Sequence, residues 1–307
     1  NGVVFIGAGI DMGMNTGRIS ALATTTGNVL WEQEFNHEVM HSGCVLGGKT
    51  AFFAVHNRLL ALDAIRGDIL WQVNVRAHIS ASPVAWQHMV YFGTDDGHLV
   101  AVSAKSGQQI WQFKADLGIC SPPLVWQGKV YVGSLDHRLY ALDASSGREL
   151  WQYMTGGEIY GTPSFHQGRL YVCSADHRLY CLETLHGRRV WEFQTQGPLE
   201  SSPAAWQSFI YTGSRDGRVY AIDATTGDHL WHFQAGDWVN SSPAVSGRSV
   251  YVGSHDGNLY ALDTHTGVCL WQYQTGGEVQ SSPAVSDQSV YVGSNDGYLC
   301  AFASRSM

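Results

Sequence analysis

The stretch from Tyr251 to Trp271 reads Tyr-Val-Gly-Ser-His-Asp-Gly-Asn-Leu-Tyr-Ala-Leu-Asp-Thr-His-Thr-Gly-Val-Cys-Leu-Trp. It begins with an apolar, β-branched and aromatic run that stops at a Ser-x-Asp-Gly turn. A second apolar run follows and stops at Thr-Gly, just ahead of the tryptophan. Short runs of this composition between glycine turns are typical of β-hairpins. The stretch therefore predicts a hairpin that leads into a third strand.

The same pattern returns every 40 residues along the chain. Tryptophans mark the period at Trp31, Trp71, Trp111, Trp151, Trp191, Trp231 and Trp271. Hairpins of the same type start near Phe5, Ala51, Tyr91, Tyr131, Tyr171, Tyr211, Tyr251 and Tyr291. No segment keeps a helical period over eleven or more residues. A repeat of four short strands predicts stacked blades, because one such sheet cannot bury both of its faces alone.

We label the strands of one repeat A, B, C and D. Strand A carries Ser-Ser-Pro, B reads Tyr-Val-Gly-Ser, C reads Leu-Tyr-Ala-Leu-Asp, and D carries the tryptophan. The chain runs B-C-D, then six full repeats, then A-B-C. This order predicts an all-β domain over residues 1–307, an eight-bladed β-propeller of four-stranded antiparallel blades. A seven-bladed ring in which the two partial ends merge is the alternative.

One D strand and one A strand are missing from this count. The first residue is Asn1 rather than methionine, so we expect the chain to be part of a longer protein. We also expect a D–A segment upstream of Asn1 to close the ring and to cover its exposed strand edges. We expect any localisation signal to lie in that upstream part as well.

Composition excludes several classes of function. The net charge is -8 with no lysine- or arginine-rich run, which argues against binding of nucleic acid. No apolar stretch approaches eighteen residues and no signal peptide is present, so no membrane insertion is expected. The six cysteines form no C-x-x-C pair and show no metal-ligand spacing. Such scattered thiols favour a reducing compartment, so the sequence predicts a cytoplasmic protein.

Residues Ala261, Asp263, Thr266, Gly267 and Trp271 resemble the tryptophan-docking motif of pyrroloquinoline-quinone-type propellers. In that family the tryptophan packs between adjacent blades, against peptide planes near its glycine. The resemblance extends over nearly the whole chain. It implies a docking role for Trp31, Trp71, Trp111, Trp151, Trp191, Trp231 and Trp271.

The repeat around Trp191 departs from the motif, because Cys181 replaces the alanine ahead of Gly187. Three kinds of relative carry these repeats. They are quinone-dependent alcohol dehydrogenases, an outer-membrane assembly lipoprotein that scaffolds a barrel-insertion machine, and propellers fused to adenylate-forming enzymes. The β-alanine-activating enzyme is an example of the third kind. The fold alone does not distinguish these three kinds of protein, so the function has to be inferred from the residues of the site.

Catalysis is not expected in this chain. The resemblance implies that a quinone enzyme would carry adjacent cysteines, calcium ligands and large insertions, and the sequence has none of these. Aspartates recur at one position in six of the eight hairpins, at Asp96, Asp136, Asp176, Asp216, Asp256 and Asp296, as turn residues do. The histidines show no metal-ligand spacing. The sequence therefore predicts neither a metal site nor a pyrroloquinoline quinone cofactor.

Positions that vary between otherwise constant repeats are free to bind a partner. One such position precedes Ser-Ser-Pro and holds Met40, Ser80, Cys120, Tyr160, Glu200, Asn240 and Gln280. Two residues earlier the chain holds Glu38, His78, Gly118, Glu158, Pro198, Trp238 and Glu278. The D–A and B–C connections open on one face because successive strands alternate in direction. The insertion at residues 9–15 in the first hairpin lies on that face too. Neutral drift around a water-filled channel is the alternative interpretation.

The sequence thus predicts a non-catalytic interaction scaffold. Its candidate binding residues are Met40, Ser80, Cys120, Tyr160, Glu200, Trp238, Asn240 and Gln280. The setting predicted first is an accessory module of a larger adenylate-forming enzyme, with a protein partner or carrier domain on the variable face. A cell-envelope assembly scaffold is the first alternative. A quinone-binding redox protein is the second.

Overall fold

The computed structural model describes residues 2–9, 16–36, 43–286 and 289–303. Every regular element in these residues is a β-strand, and the strands form eight antiparallel sheets. Six sheets have four strands, whereas the first and the last have three. This confirms the predicted order of B-C-D, six full repeats and A-B-C. The fold is the predicted all-β, eight-bladed propeller with one sheet for each blade, and the seven-bladed alternative is wrong.

The chain divides into two compact units, Asn1–Gln152 and Tyr153–Met307. The strands up to this boundary are β1 (Val3–Gly9), β2 (Thr16–Ala23), β3 (Val29–Asn36), β4 (Val45–Gly47), β5 (Thr50–Val55), β6 (Arg58–Asp63), β7 (Ile69–Asn74), β8 (Val84–Trp86), β9 (Met89–Gly93), β10 (His98–Ser103), β11 (Gln109–Lys114), β12 (Leu124–Trp126), β13 (Lys129–Gly133), β14 (Arg138–Asp143) and β15 (Glu149–Met154). The boundary between the units falls inside β15.

The strands that follow are β16 (Ser164–His166), β17 (Arg169–Ser174), β18 (Arg178–Glu183), β19 (Arg189–Gln194), β20 (Ala204–Trp206), β21 (Phe209–Gly213), β22 (Arg218–Asp223), β23 (His229–Gln234), β24 (Ala244–Ser246), β25 (Ser249–Gly253), β26 (Asn258–Asp263), β27 (Cys269–Gln274), β28 (Ala284–Ser286), β29 (Ser289–Gly293) and β30 (Leu299–Ala303).

Each complete sheet keeps its strands in chain order, A next to B, B next to C, and C next to D. The two middle strands are buried, whereas D alternates between exposed and buried residues as expected for an edge strand. The core lies between successive sheets. In the first unit, for example, Tyr91 and Trp111 of the third sheet pack with Val130 and Leu142 of the fourth. Apolar burial between neighbouring blades is therefore the main stabilising contact.

Five tryptophans on the D strands donate to a carbonyl of the next blade within their own unit: Trp31, Trp71, Trp111, Trp191 and Trp231. The indole nitrogen of Trp31 donates to the carbonyl of Ala64 at 3.1 Å, and that of Trp111 donates to the carbonyl of Ala144 at 3.0 Å. The ring of Trp31 also covers Gly67, which has a φ of 80°. A Cβ at Gly67 would lie 2.6 Å from the ring. The glycine is required both for its left-handed backbone and for this close approach.

Trp271 differs from the other six. It is 36% exposed, whereas its counterpart Trp231 is 7% exposed and donates to the carbonyl of Thr264. Residues 304–307, which occupy the repeat position of the covering turn, lie outside the described residues. The tryptophan is thus buried or only partly exposed on the earlier D strands, and 36% exposed on β27, the D strand of the seventh sheet.

The sequence predicts a strand over Ser-Ser-Pro, but the structure begins strand A just after the proline, as in β24. Proline has no N–H to contribute to a sheet, so it lies outside the ladder. The second serine has another role. The Ser202 amide donates to Ser242 Oγ at 2.9 Å, and the Ser242 amide donates to Ser282 Oγ at 3.0 Å. Each of these hydroxyls therefore accepts the amide of the preceding repeat.

Candidate partner-binding face

Three positions in each repeat meet at the end of the blade where the D–A and B–C connections lie. A backbone hydrogen bond joins the B–C turn to the D–A connection. Its donor is the amide of the first turn residue after strand B. Its acceptor is the carbonyl of the residue in the second variable row, the row that holds His78 and Trp238. Asp95 donates to His78 at 2.9 Å in the first unit, and His255 donates to Trp238 at 2.9 Å in the second. This backbone bond holds the two predicted positions beside a third, the x of Ser-x-Asp-Gly.

Sequence reasoning missed that third position. It holds Asp95, Leu135, Ala175, Arg215, His255 and Asn295. The signal was present, because this is the variable residue of an otherwise constant turn. The aspartate that follows accounts for the turn by itself, so the variable residue before it carried no separate prediction.

The recurring aspartate joins the two connections. Asp136 accepts hydrogen bonds from the Arg138 amide at 3.0 Å, the Asp116 amide at 3.1 Å and the Tyr140 hydroxyl at 2.6 Å. Asp256 accepts from the equivalent tyrosine at 2.7 Å. A carboxylate satisfied in this way fixes a turn. The geometry supports the turn interpretation over a catalytic one.

In the first unit the variable residues form a compact polar group, the Ser80 cluster, made of His78, Ser80, Asp95 and Cys120. The Ser80 hydroxyl donates to Asp95 Oδ1 at 2.6 Å, and His78 Nδ1 lies 3.1 Å from the same hydroxyl. The other oxygen of Asp95 lies 3.4 Å from His78 Nδ1. The polar groups of this cluster satisfy one another.

Cys120 completes the cluster with its thiol 3.6 Å from Asp95 Oδ1. Burial raises the pKa of this thiol to about 12, and the negative charge of Asp95 acts in the same direction. The thiolate is the nucleophilic form of cysteine. Cys120 is therefore an unreactive thiol at neutral pH, and the cluster lacks an activated nucleophile.

In the second unit the same positions form a different group, the Trp238 cluster. It consists of Glu200, Arg215, Trp238, Asn240, His255, Glu278 and Gln280. The Arg215 guanidinium bonds Glu200 at 2.7 Å and lies 4.8 Å from the ring centre of Trp238. Trp238 itself is 44% exposed. The cluster thus presents an aromatic surface beside a paired cation and carboxylate.

Glu278 organises the other side of the cluster. Its Oε2 accepts from Gln280 Nε2 at 2.6 Å and lies 3.5 Å from His255 Nδ1. The His255 ring packs against Trp238 with centroids 5.6 Å apart. These contacts connect residues from two successive blades within the second unit.

The pKa of Glu200 depends on its burial and on the charges around it. Burial raises the pKa of Glu200, and the charge of Glu158 adds to that effect. Arg215 and His255 oppose it. Glu200 therefore lies within the field of both an acid and two basic groups.

Three atoms of the Trp238 cluster are buried without a hydrogen-bond partner among the described residues. They are Arg215 Nε, Asn240 Oδ1 and His255 Nε2. Tyr160, also predicted on this face, is 38% exposed. Met40, Glu38 and residues 10–15 of the insertion fall outside the described residues. The structure thus brings Glu200, Trp238, Asn240 and Gln280 into one cluster, and Ser80 and Cys120 into another.

The described residues show no arrangement typical of a calcium-dependent quinone site. The six cysteines are free. No group of three or more metal-ligating side chains is close enough to hold an ion in the parts of the chain that are described. The recurring aspartates are taken up by turn amides and tyrosines. No described segment forms a helix suited to crossing a lipid bilayer.

Comparison with known proteins places the fold. BamB from Moraxella catarrhalis superposes with a TM-score of 0.84 at 21% identity, covering 98% of both chains. A computationally designed protein, Ika8, gives a TM-score of 0.87 at 17% identity, covering 99% of this chain and 93% of its own. A europium-containing methanol dehydrogenase gives 0.80 at 12% identity, covering 95% of this chain and 80% of its own. At these identities the likeness concerns the fold alone.

No curated protein sequence matches the chain. The model of one family matches residues 15–125, 117–207 and 195–306, which together span nearly the whole chain. That family is described as outer membrane protein assembly factor BamB. The chain belongs to this family of propeller repeat proteins.

Proposed function

We propose that this chain is a non-catalytic scaffold that holds a protein partner on the face formed by its D–A and B–C connections. The observation that carries the proposal is the contrast between constant and variable positions. Backbone bonds and turn aspartates repeat from blade to blade, whereas the side chains they present differ in charge, size and polarity. The Trp238 cluster adds exposed aromatic surface, which is enriched at protein interfaces.

Site-specific photocrosslinking tests the proposal. A photoreactive amino acid replaces Tyr160 or Gln280 on the proposed face, and Leu185 or Val268 in C–D turns at the other end of the blades. We expect one identified protein to crosslink from the first pair only. The purified partner should then bind the chain, and Trp238→Ala should weaken that binding. Equal crosslinking from both ends, or none from Tyr160 and Gln280, would contradict the proposal.

The family match favours a cell-envelope assembly scaffold as the specific form of this function. A full coding sequence with a signal peptide and a lipid-attachment cysteine would support it. The accessory module of an adenylate-forming enzyme, cytoplasmic and with a carrier domain as partner, stays a prediction that the same sequence tests. Adenylation and carrier domains upstream would support that setting instead. We propose that the scaffold works without a quinone cofactor in either setting.

A further inference from the structure

We infer that the Trp238 cluster binds a cationic side chain, lysine or arginine, carried by an extended segment of the partner. The inference rests on the proposed scaffold function and names the chemistry that the face recognises. Its argument depends on charge, on hydrogen-bonding capacity and on exposed aromatic surface within the second unit.

Charge comes first. Glu158, Glu200 and Glu278 act at this end of the second unit, and Arg215 is their one permanent cation among the residues that define the cluster. Arg215 is already engaged by Glu200 at 2.7 Å. Within the cluster, the two carboxylates of Glu200 and Glu278 against the one guanidinium leave one negative charge when His255 is neutral, and the charge of Glu158 adds to it. A partly buried surface with such an excess attracts positively charged ligands.

Two of the unpaired atoms are acceptors, whereas the third, Arg215 Nε, is a donor. His255 Nδ1 faces a carboxylate oxygen of Glu278 at 3.5 Å, and a carboxylate only accepts, so the ring proton lies on Nδ1. Nε2 of the neutral ring is then an acceptor. Asn240 Oδ1 is a second buried acceptor. A ligand rich in N–H donors matches acceptors of this kind, and ammonium and guanidinium groups carry three and five.

The aromatic residues favour a side chain over a bare ion. Trp238 exposes 44% of its surface. Trp238 already holds one guanidinium over its ring at 4.8 Å, which shows that this ring accepts a cation there. Exposed rings also pack against the methylene stem of lysine or arginine. The combination recognises an amphipathic cationic side chain.

Fluorescence anisotropy of labelled peptides tests this inference on the full chain. The probe is a fluorescein-labelled nonapeptide with three arginines alternating with serines, and the matched peptides carry lysine, glutamine or glutamate instead. We expect saturable binding of the arginine and lysine peptides, at least tenfold weaker binding of the glutamine peptide, and a loss of affinity as salt rises. Equal binding of the glutamine peptide would overturn the inference.

Variants locate the binding. Glu200→Gln and Glu278→Gln should each weaken the arginine peptide threefold to tenfold, because each removes one carboxylate while keeping the side-chain shape. The matched control is Glu149→Gln, an exposed glutamate on β15 that removes the same charge elsewhere. An equal effect of Glu149→Gln would show general attraction to a chain of net charge -8 and would contradict a specific site. Circular dichroism checks that each variant is folded.

Free spermine distinguishes a peptide from a small polyamine. We expect spermine to displace the arginine peptide at least tenfold less effectively than unlabelled peptide does. Equal displacement would mean that the cluster recognises positive charge whatever molecule carries it. The inference that a peptide supplies the cation would then be wrong. The outcome is separate from the crosslinking result: a partner crosslinked at Tyr160 and Gln280, with no preference for cationic peptides, would leave the scaffold function standing and remove this inference.

Discussion

The Ser80 cluster and the Trp238 cluster occupy the same repeat positions in different blades, yet their chemistry differs. In the first, serine, histidine, aspartate and cysteine satisfy one another, and no large aromatic ring is part of the group. In the second, an exposed tryptophan holds an arginine, and buried acceptors lack partners among the described residues. The backbone bond beneath both is the same length, 2.9 Å. The comparison teaches that the repeat fixes where side chains are placed and leaves their chemistry free.

The largest expected effect concerns the frame that both clusters share. Trp111 and Trp231 are similarly buried, and each donates to a carbonyl of the next blade at 3.0 Å. We expect Trp111→Ala and Trp231→Ala each to lower the free energy of unfolding by about 3–5 kcal/mol, the cost of removing a buried aromatic side chain. Urea denaturation followed by circular dichroism measures it.

Trp271→Ala is the matched control, because Trp271 is 36% exposed. It should cost about 1 kcal/mol or less. If only one of Trp111→Ala and Trp231→Ala were strongly destabilising, the packing between blades would differ between the two clusters. The comparison between them would then lose its basis.

The second effect tests whether the thiol of Cys120 in the Ser80 cluster is protected or reactive. Burial, followed by the charge of Asp95, raises the pKa of Cys120 from 9.0 to about 12. Three pH units correspond to a thiolate fraction about a thousandfold smaller at pH 8. We expect iodoacetamide to label Cys120 about a thousandfold more slowly than it labels glutathione, as measured by mass spectrometry of the digested protein. Asp95→Asn should accelerate labelling, whereas rapid labelling of the unaltered chain would show that the cluster is open.

The repeat, the strand order and the eight blades could all be predicted from sequence, because tryptophan, glycine and aspartate recur at fixed spacing for backbone reasons. Gly67, for instance, is dictated by a left-handed φ and by the ring of Trp31. The candidate site was predicted only in part. Two of its three positions follow from variation between repeats. The contact of Arg215 with Trp238 depends on side-chain directions in two blades, which no local pattern encodes.

A third, smaller effect tests the turn carboxylate beneath the Trp238 cluster. Burial raises the pKa of Asp256, but hydrogen bonds from Tyr260 and from the amides of Asn258 and Gly236 outweigh it and hold the pKa below its usual range. Because the folded pKa is depressed, the stabilisation is complete above the unfolded pKa of about 4 and is lost as pH falls through the folded value. We expect Asp256→Asn to cost about 1–3 kcal/mol at pH 7.

The difference between Asp256→Asn and the unaltered chain should shrink as the pH falls below about 4. Urea titrations at several pH values measure this. Glu149→Gln, at an exposed position, provides the baseline. A difference that stays constant with pH would show that the carboxylate charge contributes nothing and that side-chain shape alone holds the turn.

The smallest expected effect on stability, and the sharpest test of the comparison, is an exchange of chemistry between blades. Glu200→Ser with Arg215→Asp gives the second unit the pair that Ser80 and Asp95 form in the first. The ion pair at 2.7 Å lies near the surface, and such pairs contribute about 0–1 kcal/mol, so unfolding should change by about 1 kcal/mol or less. Binding of the arginine peptide should not weaken, because the exchange leaves the cluster one charge more negative and frees the ring of Trp238 from Arg215. A loss of more than about 3 kcal/mol would mean that these side chains shape the backbone beneath them, and the separation of a constant frame from exchangeable chemistry would fail.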